Sequence, residues 1–358
     1  MKVLMEAVRK KIDFSSQYCL QTILILWKYF SQTIKLQGRS KIWIVLLILW
    51  LINGSSFLAI KISIDTIPPL LSAGIRFMIA GSALYSIYLV QPLLRRHQTQ
   101  KQEVHEHIGK TQWRDAIILA ALLMVGGQGI LTWGAQYLPS GITGLLNSTV
   151  PLWVAILALV IFKRRLSKLT ILGLCAGFGG LMLLVAPSLS TGELSLVGTT
   201  ALIISSVMWA LGSLYSTKSK LPVSILASSG MIMIAGGLIL TAISLSLGEY
   251  RGLELSDISW QSWIALVYLI LIVTVVGFTD FYWLLRVTTP SLANTFAYVS
   301  PVIAVILGWL LLHELITSTT VIAMIVILMG VALMVTTPHK RRKSTQSMDT
   351  HTTGTTNH

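Results

Sequence analysis

Charged residues are scarce in this sequence. Asp, Glu, Lys and Arg together supply 11% of its 358 residues, whereas hydrophobic residues supply 54%. Few water-soluble domains have such a composition. Windows of about 20 mostly apolar residues, the length that crosses a bilayer as a helix, recur from Ile42 almost to the C-terminus. These features exclude an ordinary soluble domain and predict an all-α integral membrane protein.

Cysteines and catalytic motifs are also lacking. Two cysteines, Cys19 and Cys175, are too few for a disulfide framework, and we expect both to be reduced. Histidines are possible metal ligands, but the five considered lie in predicted loops, namely His97, His105, His107, His313 and His339. No Gly-rich phosphate loop follows a strand. We therefore predict no catalytic site, no metal site and no cofactor. An enzyme is not expected.

Acidic residues number only 13, against 27 Lys and Arg, which gives a formal net charge of +14. The basic residues lie in short runs between apolar segments and at both ends, a pattern that sets membrane orientation. A cytoplasmic N-terminus places all of them on the inner side except Lys61 and Arg251, which fall outside, and Arg76, which falls within a helix. Both termini are therefore predicted to be cytoplasmic, and no nucleic-acid partner is expected. Lys61 and Asp65 are predicted to form a surface ion pair.

Ten membrane-spanning helices are predicted from the apolar segments. Their bounds lie near 42–60, 69–91, 115–135, 140–162, 168–187, 196–216, 222–247, 261–285, 290–312 and 317–336. The apolar run at 18–34 is interrupted by Lys28, so it is expected to lie along the inner membrane surface, with a short extra span as the alternative.

The chain contains a duplication. The stretch from Gly127 to Gly180 recurs 150 residues later, from Gly277 to Gly330, with Pro151 answered by Pro301. Because each half holds five spans, an odd number, the second half must enter the membrane from the opposite side, which predicts a 5+5 inverted repeat. The predicted divisions are a basic cytoplasmic or interfacial segment at 1–41, repeats at 42–187 and 188–337, and a disordered tail at 338–358 that is basic and then rich in Ser and Thr.

The fourth and ninth spans each carry a proline and a polar stripe. Pro151 and Pro301 are expected to kink these helices, because proline removes one backbone hydrogen bond and crowds the preceding turn. The stripes include Thr143 and Asn147 in one span, and Asn294 and Tyr298 in the other. We interpret these four residues as substrate ligands around a midplane cavity, with tight helix packing as the alternative reading.

Further candidate residues stand inside other spans. Trp50, followed by Asn53, and Trp209 are cavity candidates, because small or polar residues follow each tryptophan. Intramembrane charges are costly and indicate function. Arg76 is expected either to reach outward to the membrane surface or to face the cavity and attract a carboxylate or phosphate. Asp280 is a candidate for proton coupling, although it lies near enough to the inner end to meet water or Arg286.

These residues resemble the EamA-type proteins of the drug/metabolite transporter superfamily. The resemblance rests on Trp50, Asn53, the Pro68-Pro69 pair and Arg76-Phe77, and on the ending of each half, such as Pro301, His313-Glu314-Leu315 and Gly330. It covers about residues 42–337 and implies a ten-helix inverted repeat with a central substrate cavity. The family commonly has a Glu-Arg pair after each proline; the second half keeps the acid as Glu314, whereas the first has Arg164.

The sequence thus predicts a secondary active transporter, working by alternating access as an exporter of amino acids, small metabolites or drugs. The alternatives are an exchanger of phosphorylated or nucleotide-linked sugars, and a lipid scramblase or non-transporting membrane scaffold. Its expected partners are a small-molecule substrate and the lipid bilayer. A multi-pass location in the plasma membrane is expected, which in a bacterium is the inner membrane. The sequence favours no particular oligomeric state.

Overall fold

The computed structural model describes residues 39–95, 108–163, 168–191, 195–251, 253–277, 280–281, 284 and 296–335. Several predicted features lie outside the described residues: Cys19, the apolar run at 18–34, Arg164, Arg286, Asn294 and the tail at 338–358. The backbone of Tyr298 is described, but its side chain is not.

The regular structure of the described residues is helical throughout. The helices are α1 (Arg39–Ser63), α2 (Pro69–Arg95), α3 (Lys110–Tyr137), α4 (Ser140–Asn147 and Val150–Phe162), α5 (Lys168–Thr191), α6 (Leu196–Ser216), α7 (Ile225–Leu247), α8 (Trp260–Val276), α9 (Phe296–Leu312) and α10 (Ser318–Val335). Within this part of the chain, six helices are long and apolar enough to cross a membrane, namely α1, α2, α3, α4, α6 and α7. The other four are apolar over shorter stretches.

The approximate helix bounds predicted from the sequence differ from the observed ones by up to five residues where the structure describes the helix end, since α3 begins at Lys110 and not near residue 115. The seventh segment was placed from residue 222, but α7 begins at Ile225, and Ser224 before it has an extended backbone. Serine is among the residues that most often precede the first turn of a helix. Pro222 belongs to the connection, not to the helix.

The outer surface of the helices is apolar. Trp309, Leu310 and Leu311, consecutive residues of α9, are each more than half exposed, and similar side chains project from the other helices. A water-soluble monomer rarely exposes a large contiguous apolar area. This surface fits a protein whose solvent is lipid.

Two glycine-lined crossings hold the bundle together. In α5 and α10, a Cβ on Gly180 would stand 2.9 Å from the Ile327 nitrogen, and one on Gly330 would stand 2.6 Å from the Gly177 nitrogen. Since 327 and 330 are 177 and 180 shifted by 150, this crossing has the same contacts when the two halves are exchanged. Such backbone contact is a recognised means of packing helices in lipid, where no hydrophobic effect drives association.

A second crossing joins α2 to α7. A Cβ on Gly74 would meet the Gly237 carbonyl oxygen at 3.3 Å, and one on Gly237 would meet the Gly74 carbonyl oxygen at 2.9 Å. A further contact lies seven residues after Gly74 and seven residues before Gly237, where a Cβ on Gly81 would stand 3.1 Å from the Gly230 carbonyl oxygen. The two helices therefore run antiparallel in direct backbone contact.

The remaining helix contacts come in matched pairs. Helix α1 packs against α8 and α9, and α6 packs against α3 and α4; likewise α2 packs against α8, and α7 against α3. Each of these contacts is repeated five helices further along. The backbone repeats as well, because α4 and α9 are followed by Lys163 and His313, whose left-handed φ angles are 48° and 54°. This is the packing expected of two duplicated halves.

The α5–α10 crossing provides a test with a matched control. Gly180→Ala would bring a methyl group against α10 and should lower the stability of the folded protein by about 1–3 kcal/mol, the usual cost of overpacking. Gly179→Ala should cause no loss, because a Cβ there would meet nothing within 4 Å. The measurement is the apparent unfolding temperature of each purified variant in detergent. Equal unfolding temperatures would contradict the crossing.

Candidate functional site

Helices α3 and α8 both contain π-helical segments. In α3 the segment is Ala120–Gly129, and in α8 it is Leu269–Val276. The two begin at nearly the same place in each half, since residue 120 shifted by 150 is residue 270. π-helices are rare and often lie at functional sites, because the wider turn redirects side chains and carbonyl groups. Sequence reasoning missed both segments, since nothing in the apolar pattern distinguishes them.

Arg76 points into the bundle. Its side chain is only 5% exposed, and its Nε donates a hydrogen bond of 2.9 Å to Thr274 Oγ1 in the π segment of α8. The guanidinium carbon lies 4.9 Å from the centre of the Phe77 ring. Outward extension to the membrane surface, one of the two predicted alternatives, is therefore wrong. The side chain turns inward because the Thr274 hydroxyl offers an acceptor at the depth it can reach.

No described carboxylate lies within ion-pair distance of Arg76. A guanidinium in a medium of low dielectric constant strongly attracts an anion. Thr274 is a neutral acceptor, and its own hydroxyl donates to the Leu269 carbonyl at 2.8 Å. The side chain of Arg76 is thus positioned by the protein but not neutralised by any described residue.

Asp280 is the second buried charge-bearing residue of this region. It is 5% exposed, and its Oδ2 has no hydrogen-bond partner among the described residues. It follows Thr274 by six residues in the sequence. Its neighbour Phe281 packs against the same buried cluster as Trp50, the cluster of Val45, Leu46, Leu49 and Leu284. Asp280 therefore lies close in the chain to residues that pack against α1, and it follows α8, whose Thr274 bonds Arg76.

Helix α1 brings Trp50 and Asn53 to this region. Trp50 packs in a cluster with Phe281, Leu284 and Phe296 from α8 and α9 and their connection. Asn53 is half-buried and its amide nitrogen donates to the Leu49 carbonyl of its own helix at 2.9 Å; its amide oxygen is a further acceptor. On the same turn, Ser55 and Tyr268 share a hydrogen bond of 2.6 Å.

Helix α6 occupies the corresponding place in the second half. Trp209 lies against Gly127 in the π segment of α3, where a Cβ would come within 2.8 Å of its ring. Ser205, one turn earlier, donates to the Gly127 carbonyl at 2.8 Å. Gly127 therefore serves two purposes: its missing side chain admits an indole, and its carbonyl accepts a hydrogen bond.

Helix α4 is broken and not merely kinked. Pro151 stands in the first turn of the second piece, where proline is well tolerated. Ser148 and Thr149 fill the break, and their hydroxyls donate to the Leu145 and Leu146 carbonyls at 2.7 and 2.6 Å. In contrast, Pro301 lies inside a continuous α9.

The polar stripe of α4 is mostly sealed. Thr143 has no exposed surface, and its hydroxyl donates to the carbonyl of Pro139, the residue just before α4, at 3.0 Å. A Cβ on Gly144 would come within 2.9 Å of Ala304 in α9. Asn147, one turn deeper, is half-buried. The part of this stripe nearest Ser140 therefore packs against α9, and tight helix packing was the alternative to a cavity in the sequence analysis.

Lys61 does not pair with Asp65, so that prediction is wrong. Its Nζ donates instead to the carbonyls of Ala135, Gln136 and Leu138, at 2.9–3.0 Å. These carbonyls at the end of α3 have no partner within the helix. They compete successfully with a single exposed carboxylate, whose ion pair would contribute little.

Sequence reasoning also missed Asp115 at the start of α3. This carboxylate is 2% exposed and accepts hydrogen bonds from Tyr215 Oη at 3.2 Å and from the Lys220 backbone nitrogen at 2.8 Å. Arg114 pairs with it at 3.0 Å. A lone Asp next to an Arg at a segment boundary gives no sequence signal for this network. Among the described residues, no cluster of His, Cys, Asp and Glu could hold a metal ion.

Comparison with known proteins gives consistent results. The profile of the EamA-like transporter family matches twice, at residues 40–186 and 196–336. The uncharacterized inner membrane transporter YedA of Escherichia coli K12 is 31% identical over 288 residues, covering 80% of this chain and 88% of that protein. The uncharacterized transporter YoaV of Bacillus subtilis is 26% identical over 294 residues, covering 82% and 96%. A protein of known crystal structure shares the fold, with a TM-score of 0.55 at 17% identity, over 83% of this chain and 96% of that one.

The Arg76–Thr274 hydrogen bond can be tested by removing the acceptor. Thr274→Val should destabilise the folded protein by about 1–3 kcal/mol, because it leaves a buried charged donor without its partner. Thr132→Val is the matched control in α3, since the Thr132 hydroxyl donates only to the Gln128 carbonyl of its own helix. That change should alter stability little. Apparent unfolding temperatures in detergent measure both, and an equal effect would contradict the role of Thr274.

Proposed function

This chain belongs to the EamA-like transporter family, and we propose that it is a secondary active transporter that works by alternating access. It is a multi-pass protein of the plasma membrane, and its substrate is a small molecule. The observation that carries the mechanism is the packing of the helices in matched pairs around two glycine-lined crossings. Two equivalent halves that meet at these crossings can alternate between an outward-open and an inward-open arrangement.

The ten-span inverted repeat and the cytoplasmic termini are part of this proposal. The duplication and the placement of Lys and Arg support them. In this arrangement the two crossings, α2 with α7 and α5 with α10, remain fixed, because direct backbone contact leaves little room for sliding. The α3–α4 and α8–α9 pairs move relative to them. Transport proceeds outward, as export, and an ion or solute gradient supplies the energy.

We place the substrate between α1 and α6, near the π segments. Trp50 and Trp209 supply apolar walls, and Asn53 and Asn147 supply amide groups. Asn294 and Tyr298 from the second half, together with Thr143, are proposed to complete the site when the helices move. An apolar pocket with a few convergent polar groups is the usual form of a small-molecule site.

Arg76 is proposed to bind an anionic group of the substrate. It is buried, is held in place by Thr274, and has no described carboxylate beside it. A substrate carboxylate would supply the missing charge and could accept two parallel hydrogen bonds from the guanidinium. Amino acids and acidic metabolites are therefore the preferred substrate class. The buried carboxylate of Asp280, six residues after Thr274 in the sequence, is proposed to carry the coupled proton.

Orientation is tested by labelling single cysteines from outside intact cells. A cysteine at Ser256, in the connection between α7 and α8, should react with an impermeant maleimide, because that connection is proposed to be external. A cysteine at Thr217, in the connection after α6, should react only after the cells are opened. The background protein carries Ser in place of Cys19 and Cys175. Reaction of Thr217→Cys from outside would overturn the proposed orientation.

Substrate class is tested in two stages. A thermal-shift screen of the purified protein with amino acids and small metabolites first identifies compounds that bind the folded state and raise its apparent stability. Transport of these compounds in proteoliposomes is then compared between wild type and Arg76→Gln. We expect transport of acidic and zwitterionic compounds to fall by about a hundredfold, the effect of losing a charged hydrogen-bonded pair worth roughly 3 kcal/mol, and transport of cationic or neutral compounds to change little.

Arg251→Gln is the control for the Arg76 variant, because Arg251 is exposed in the connection that follows α7. It should transport all compounds as the wild type does. An equal loss across all substrates in Arg76→Gln, with normal amounts of folded protein, would assign Arg76 a structural role and contradict the anion site.

A further inference from the structure

The turn between α3 and α4 is clasped by two charged side chains from other parts of the chain. Helix α3 ends at Tyr137 and α4 begins at Ser140, so only Leu138 and Pro139 separate them. A helix end leaves carbonyl groups without partners, and a helix start leaves N–H groups without partners. We call this turn, residues 135–141, the α3–α4 tip.

Lys61 clasps the tip from α1. The hydrogen bonds of its Nζ measure 3.0 Å to Ala135, 3.0 Å to Gln136 and 2.9 Å to Leu138. An ammonium group has three donors and no acceptor, so all its protons are used. A cation at the C-terminal end of a helix is also favoured by the helix dipole.

Glu314 clasps the tip from the connection between α9 and α10. Its Oε1 accepts from the Ser140 nitrogen at 2.6 Å and its Oε2 accepts from the Gly141 nitrogen at 3.1 Å. A carboxylate at the N-terminal end of a helix is likewise favoured. The N–H groups of the tip therefore bond a carboxylate, and its carbonyl groups bond an ammonium group.

The chain around Glu314 is shaped to bring this carboxylate back onto the bundle. His313 takes a left-handed φ of 54°, and the Glu314 nitrogen donates to the Gly308 carbonyl at 3.1 Å. A Cβ on Gly308 would overlap the Glu314 carboxylate and would stand 2.7 Å from Ser140 Oγ. Gly308 is thus required for the carboxylate to occupy its place.

We propose that these five hydrogen bonds, from Lys61 and to Glu314, form the latch of the outer gate. The inference rests on the proposed alternating access. The latch ties together α1, the α3–α4 tip and the α9–α10 connection, which have to separate if the outer side is to open. Thr143 lies one turn inside the tip and is fully sealed while the latch is closed.

The two ends of α3 differ in a way that suits this role. At the opposite end, Asp115 accepts hydrogen bonds from the Tyr215 hydroxyl in α6 and from the Lys220 backbone nitrogen in the connection after α6. At the tip, Lys61 and Glu314 are only half-buried, so water can replace the broken hydrogen bonds at a small net cost. Helix α3 is anchored at the Asp115 end and releasable at the tip.

The latch is tested with Glu314→Gln and Lys61→Met, and with Gly308→Ala, which displaces the carboxylate without removing its charge. Glu254→Gln is the matched control, an exposed carboxylate of the α7–α8 connection. Two spin labels, at Tyr137 on the tip and at Leu315 beside Glu314, report the gate opening as a distance by double electron–electron resonance. Both native side chains are exposed, at 43% and 92%. The background again carries Ser at Cys19 and Cys175.

Two single cysteines measure access to the two sides of the bundle. Thr143→Cys lies near the start of α4, on the side proposed to be external, and Ser213→Cys lies near the end of α6, on the side proposed to be cytoplasmic. In the latch variants the distance between the spin labels should lengthen. Labelling of Thr143→Cys from outside should rise about tenfold, because one charged hydrogen bond is weakened. Labelling of Ser213→Cys from inside should fall. Glu254→Gln should match the wild type in all three.

An unchanged distance and unchanged labelling in all three latch variants would overturn the latch. A rise outside without a fall inside would overturn its gating role and leave a local clasp. Neither result bears on the substrate screen and proteoliposome transport, so failure of the latch and failure of the proposed function are distinguishable.

Discussion

The structure depends on one constraint, that every backbone polar group inside a lipid bilayer must be satisfied by the protein itself. Helices meet it along their length, and side chains meet it wherever a helix is interrupted. Ser148 and Thr149 bond the carbonyls at the break in α4. Thr274 bonds the Leu269 carbonyl in the π segment of α8. The interruptions are therefore few and placed where polar side chains serve them, which is also where a polar substrate can be bound.

The same constraint explains how charge is used. Three of the buried or half-buried charged groups contact backbone ends or a hydroxyl: Lys61 bonds carbonyls, Glu314 bonds N–H groups, and Arg76 bonds Thr274. Helix ends carry partial charges, so they can hold an ion without a full countercharge. Arg76 differs from the other two, because a single neutral hydroxyl offsets its charge only in part. That difference singles it out for an anionic substrate.

Rigid and movable contacts are separated in the bundle. The α2–α7 and α5–α10 crossings bring backbones together at glycines, where any added atom meets main chain. The α3–α4 tip is held by long side chains whose partners face water once they part. Close packing favours one arrangement, whereas bonds that water can replace permit two. A transporter needs both kinds of contact, and here they lie in different helices.

The sequence by itself determined the helical segments, the duplication and the membrane setting, because these depend on hydrophobicity and on residues compared at a fixed offset. It also located Trp50, Arg76, Trp209 and Asp280 inside helices. Only the tertiary structure decided their partners: Arg76 meets a residue 198 positions away, and Glu314 caps a helix 174 positions away. The π segments and the contacts of the α3–α4 tip also depend on the tertiary structure. The reason is that these helices are apolar on nearly every side, so no amphipathic stripe fixes their rotation or register, and partner choice follows from close packing between helices.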